Sequence, residues 1–120
     1  MNKKNILIVE DEIHLQETWE EMLIHFNYNP VITSNGFEAI SKLNEQSLDA
    51  IITDLHMPIM DGYLVLDHIK NNNLNIVTVV CSGQTISEKL STYEIAKVIN
   101  KPFDMIKVIQ ELHLFFNDDC

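Results

Sequence analysis

"NILIVEDEIHLQETWEEMLIHF", residues 5–26, decides the architecture. It opens on the apolar run ILIV, which is short enough for a strand and too continuous for a sheet with one wet face. Three acids follow, Glu10, Asp11 and Glu12. Leu15, Trp19, Met22, Leu23 and Phe26 then recur at helical spacing, which predicts a helix over 12–27. A strand that runs straight into an amphipathic helix is half of a β-α-β unit, whose next strand lies parallel to the first.

The same alternation continues along the chain. Residues 30–33 (PVIT) predict a weak strand, and Pro30 favours a sheet edge because it cannot donate to a ladder. Phe37, Ile40 and Leu43 share one face of a helix over 37–45. A strand over 49–53 (DAIIT) precedes a helix over 62–71 that stops in Asn71-Asn72-Asn73. The β-branched run 75–81 (NIVTVVC) predicts an interior strand. A short helix over 85–92, a strand over 95–99 and a closing helix carrying Met105, Val108, Ile109, Leu112 and Phe116 complete the pattern. Five strands alternating with five helices predict a three-layer, doubly wound α/β domain.

Composition narrows the function. With 120 residues, one domain with one core is expected over 1–120. The net charge is −10, from 8 basic and 18 acidic residues, with no arginine. Nucleic-acid binders carry a basic face, so direct nucleic-acid contact by this chain is not expected. No apolar run approaches the roughly 20 residues of a membrane span. The apolar run after Lys4 is too short for a signal-peptide core, so a cytoplasmic location is expected. Cys81 and Cys120 have no metal-binding spacing, and a reduced compartment is the simple reading.

In an open parallel sheet, ligands bind beyond the carboxyl ends of the strands. Those ends hold Glu10-Asp11, Ser34-Asn35-Gly36, Asp54, Ser82-Gly83 and Asn100-Lys101-Pro102. One acid at such an end is most simply a helix cap. Three repel one another and raise each other's pKa unless a cation joins them. A hard divalent cation such as Mg²⁺ suits an all-oxygen site. Lys101 beside that cation forms a clamp for an anion with several oxygens, such as phosphoryl. The Ser82 hydroxyl could donate to it or cap the following helix. Such a site would let Asp54 act as a nucleophile. Pro58 fixes its own φ, Gly62 relieves the turn after Asp61, and Asp61 itself suits a helix cap.

These residues resemble the receiver domain of bacterial two-component response regulators, as in the single-domain chemotaxis regulator. The motifs are "ILIVEDE" (6–12), "DLHMPIMDG" (54–62), "VVCSG" (79–83) and "NKPF" (100–103), with weaker support from "EAISKL" (38–43). The resemblance covers essentially the whole chain. It implies a flavodoxin-like (βα)₅ fold with strand order 2-1-3-4-5. It implies that Asp54 accepts a phosphoryl group from a histidine kinase's phosphohistidine. Mg²⁺ would be bound by Glu10, Asp11, Asp54 and the backbone carbonyl of His56. Ser82 and Lys101 would engage the phosphoryl group, and Lys101-Pro102 would be a cis peptide.

The implied partners are a sensor histidine kinase or phosphotransfer protein, and a downstream protein or output domain. Output would use the face of the fourth helix, fifth strand and last helix, or a phosphorylation-dependent homodimer. No membrane partner is implied. The domain would promote only its own phosphorylation and dephosphorylation. Two features depart from the family pattern. The position that usually carries an aromatic switch residue is Val98, and the segment from Ser82 to Lys101 is short. Two other functions stay open. One is a phosphate-independent module of the same fold. The other is an aspartyl-nucleophile phosphatase, which would need a second acid where His56 stands.

Overall fold

The computed structural model describes residues 3–55, 62–83 and 88–116. Five parallel strands, β1 (Asn5–Val9), β2 (Asn29–Thr33), β3 (Ala50–Asp54), β4 (Val77–Ser82) and β5 (Lys97–Asn100), form one sheet in the order β2-β1-β3-β4-β5. The expected order is therefore observed, and the proline-bearing strand lies at an edge. The register sets Ile8 beside Ile32 and Ile52, and Asp54 beside Cys81.

Side chains alternate across the sheet as strand geometry requires. Ile6 and Ile8 point to one face, where α1 (Ile13–His25) and α4 (Met105–Phe116) cover them with Trp19, Leu23, Val108, Ile109 and Leu112. Leu7 and Val9 point to the other, beneath Ala39 of α2 (Gly36–Glu45) and Val65 and Ile69 of α3 (Gly62–Asn71). Both faces are dry, which explains the unbroken apolar runs.

Local chemistry sets the helix ends. Glu12 caps α1 by accepting from His14 N–H at 3.2 Å and Leu15 N–H at 2.8 Å. The helix stops two residues short of the expected end, because Asn27 turns into the left-handed region at φ 71°. Asn73, at φ 51°, turns the chain after α3, as the asparagine triplet suggested.

Three details differ from expectation. Residues 88–92, the described part of the expected helix over 85–92, form a 3₁₀ turn, Glu88–Thr92, rather than an α-helix. Phe37 is 60% exposed, and α2 buries the smaller Ala39 instead. Leu15 is also exposed, since the inward side of the first turn of α1 is taken by Gln16, whose Nε2 donates to the Glu10 carbonyl at 2.6 Å.

Candidate functional site

Because every strand is parallel, the carboxyl ends of β1, β3, β4 and β5 open on one rim. β3, β4 and β5 each run as far as their chemistry-bearing ends. Asp54 is still paired with Cys81, and Ser82 with Asn100. The ladder continues one step further, with Leu55 N–H donating to Cys81 O at 3.3 Å and Lys101 N–H to Ser82 O at 2.8 Å. The acid, the hydroxyl and the lysine backbone are therefore held by sheet hydrogen bonds rather than by free loops.

Asp54 and Lys101 form an ion pair through Nζ and Oδ2, with Asp54 8% and Lys101 37% exposed. Glu10 is 7% exposed, and its Oε2 accepts from Glu12 N–H at 3.1 Å. Burial pushes the Glu10 carboxyl above its usual range. The Asp11 side chain and the Asp54 charge add to the rise, while Glu12 N–H and Lys101 oppose it. Burial by itself would lower the Lys101 ammonium. The hydrogen bond and charge of Asp54, with Glu10 adding, together hold it above its ordinary value. The rim thus carries more negative charge than Lys101 balances.

Glu10, Asp54, Cys81 and Lys101 share a cleft with Trp19 and Phe103, whose rings stand 5.9 Å apart. The cleft encloses only about 10 Å³. Among the described residues that is the space of about one water. Burial, followed by the Asp54 charge, pushes the Cys81 thiol up to about 12.

The other sequence-derived positions are partly accounted for. Asp11 is exposed beside Glu10, and Ser82 is buried. Lys101-Pro102 is cis. Val98 is half-buried against the cluster of Leu55, Leu66, Val80 and Leu90, which Tyr93 also joins. Gly62 opens α3. His56, Pro58 and Asp61 lie outside the described residues. Among the described residues no three His, Cys, Asp or Glu side chains are close enough to hold a metal ion. Sequence reasoning placed Trp19 and Cys81 in the core and passed over their second role as cleft walls. The spacing of Trp19 on α1 gave no sign of it.

The model of the response regulator receiver domain family matches residues 6–113. The chain belongs to that family. A relative, the probable transcriptional regulator ycf29 of Pyropia yezoensis, is 28% identical over 89% of this chain and 52% of its own length. The chain spans about half the length of the curated relatives it matches first. Among solved structures, a Francisella response regulator receiver domain superposes with a TM-score of 0.88 at 19% identity, covering 98% of this chain and all of its own. The receiver domain of the Pseudomonas aeruginosa sensor histidine kinase PA1611, with magnesium coordinated in its active-site cleft, superposes at 0.80 and 22% identity, covering 93% of this chain and 96% of its own. At these identities the structures attest the fold alone.

As a receiver domain, the chain is a component of two-component signalling, where the family's general role is that of a phosphorylation switch. No helix among the described residues is long and apolar enough to cross a membrane.

Proposed function

We propose that Asp54 is the phosphoacceptor of a receiver switch that spans the whole chain. One observation carries this: a nearly buried carboxylate at a strand end, ion-paired to Lys101, with a second buried carboxylate, Glu10, on the same cleft. An Asp54 Oδ attacks the phosphorus of a phosphohistidine. The P–O bond forms as the P–N bond breaks, and the imidazole leaves with the electron pair and takes a proton.

Lys101 is already at the acceptor, so it needs only to move its ammonium from Oδ2 to a phosphoryl oxygen. Ser82, held in the ladder at the end of β4, supplies a hydroxyl donor to another. The excess negative charge and the all-oxygen donor set suit Mg²⁺. Glu10, Asp11, Asp54 and the His56 carbonyl would hold it, the three carboxylates drawing closer together than they stand in this structure. Bound Mg²⁺ supplies neutralisation of the phosphoryl oxygens. Pro58, Asp61, Gly62 and Pro102 would support the turns that carry these groups.

A sensor histidine kinase or phosphotransfer protein is the donor. Asp54 lies next to Leu55, which packs with Val80, Leu90, Tyr93 and Val98. A shift at the acceptor therefore reaches the surface of the 3₁₀ turn and β5, which Lys97 ties to Glu111 of α4, and a downstream protein, an output domain or a second copy would read it there. The switch works by population shift and turns over no external substrate. Incubation with MgCl₂ and acetyl phosphate is expected to add one phosphoryl group by mass, and none to Asp54→Asn. Equal uptake by both proteins would refute the assignment.

A further inference from the structure

Glu10 is fixed on three sides. Its N–H donates to Thr33 O at 3.0 Å, its carboxylate accepts from Glu12 N–H at 3.1 Å, and its carbonyl accepts from Gln16 Nε2 at 2.6 Å. The third contact bears directly on the neighbouring residue, Asp11. The Glu10 carbonyl and the N–H of Asp11 belong to one planar peptide unit. The amide that grips the carbonyl therefore also sets the plane that carries the Asp11 Cα.

Gln16 is well placed to do this because it is held itself. Its own N–H bonds Glu12 O at 3.0 Å within the first turn of α1. Nε2 also reaches Ser34 Oγ at 3.1 Å. Ser34 N–H donates to Glu38 Oε1 at 2.7 Å, and Glu38 N–H donates to Asn35 Oδ1 at 3.0 Å, in a capping-box-like pair at the start of α2. A continuous brace thus runs from α2 through Ser34 and Gln16 to the Glu10–Asp11 peptide. Asp11 is the exposed member of the acidic group, its side chain lies beside that of Glu10, and the backbone that carries it is the peptide Gln16 grips.

We infer that Gln16 is a positioning residue for the cation-binding loop: it orients Asp11 toward a divalent cation without touching the cation. The inference rests on the Mg²⁺ reading above. Gln16→Met keeps the side-chain length and the helix propensity but removes the amide donor. The test is a MgCl₂ titration followed by amide chemical shifts in wild type and Q16M, with thermal melts in EDTA. The Mg²⁺ Kd is expected to rise about tenfold, the low end for outer-shell partners of a metal site. A brace that serves stability alone lowers the metal-free Tm and leaves Kd unchanged, and that result overturns the inference. Ser34→Ala removes only the outer anchor and gives a smaller rise in the same direction. It carries the test if Q16M does not fold, and an unchanged Kd in whichever variant folds counts against Gln16. A wild-type chain with no Mg²⁺ response overturns the inference together with the reading beneath it. A wild type that responds, with Q16M responding equally, overturns the inference alone.

Discussion

Lys101 reaches from the residue after β5, past β4, to place its ammonium on Asp54 Oδ2 at the end of β3. Two strand ends separated by a third are thereby tied by charge as well as by the sheet. The resting pair holds the lysine in position and neutralises a carboxylate that burial would otherwise disfavour.

Removing the lysine alone should therefore cost more than removing both partners. Lys101→Met takes the lysine charge away from a nearly buried Asp54. Since Lys101 is more than a third exposed, solvent screens the loss, and about 1 kcal/mol is expected. Asp54→Asn combined with Lys101→Met should recover most of it. Urea melts of the four members of the cycle check this. A coupling near zero would mean that the pair contributes nothing to the resting fold.

The Cys81 thiol should be inert at ordinary pH. Its pKa stands at about 12, against an ordinary 9.0, because of burial first and the Asp54 charge second. The folded state therefore keeps a proton that the unfolded state gives up above about pH 9. Stability is expected to fall as pH rises from there toward 12, since the unfolded chain binds fewer protons in that window. In a Cys120→Ser background, iodoacetamide should label Cys81 slowly at pH 8 and rapidly in urea. Fast native labelling would show that the β4 end opens readily.

Trp19 should report on the acceptor cleft. It is the only tryptophan in the chain, and it lines the cleft beside Phe103. Binding of Mg²⁺ and addition of a phosphoryl group both change the charge within reach of its ring, so each should alter its emission. Asp54→Asn should abolish the step caused by acetyl phosphate. An unchanged spectrum, in a chain shown by mass to be phosphorylated, would place the rearrangement away from α1.

Much of this was legible in the amino-acid order. Unbroken apolar runs such as 6–9 and 79–81 mark strands buried on both faces, and buried parallel strands leave their acids at one rim. What escaped the sequence depended on which face of a helix met the sheet. Phe37 has the right period and hydrophobicity, yet α2 approaches closely enough that Ala39 fills the contact. Gln16 reads as an ordinary helix polar residue, because nothing in its spacing reveals the Glu10 carbonyl beneath it. Between β4 and β5, residues 88–92 wind as a 3₁₀ turn where the apolar pattern had suggested a helix.

That difference between pattern and packing is measurable as a pair of truncations. Leu112 of α4 is fully buried among Ile6, Ile8, Leu23 and Val108, and Leu112→Ala should destabilise by about 2–5 kcal/mol through lost burial and a residual cavity. Phe37, though larger and equally periodic, is mostly in water. Phe37→Ala should change stability by no more than about 0.5 kcal/mol. Parallel urea melts give both values. A loss of several kcal/mol at Phe37 would mean that α2 turns a different face to the sheet, which would also move Glu38 away from Ser34.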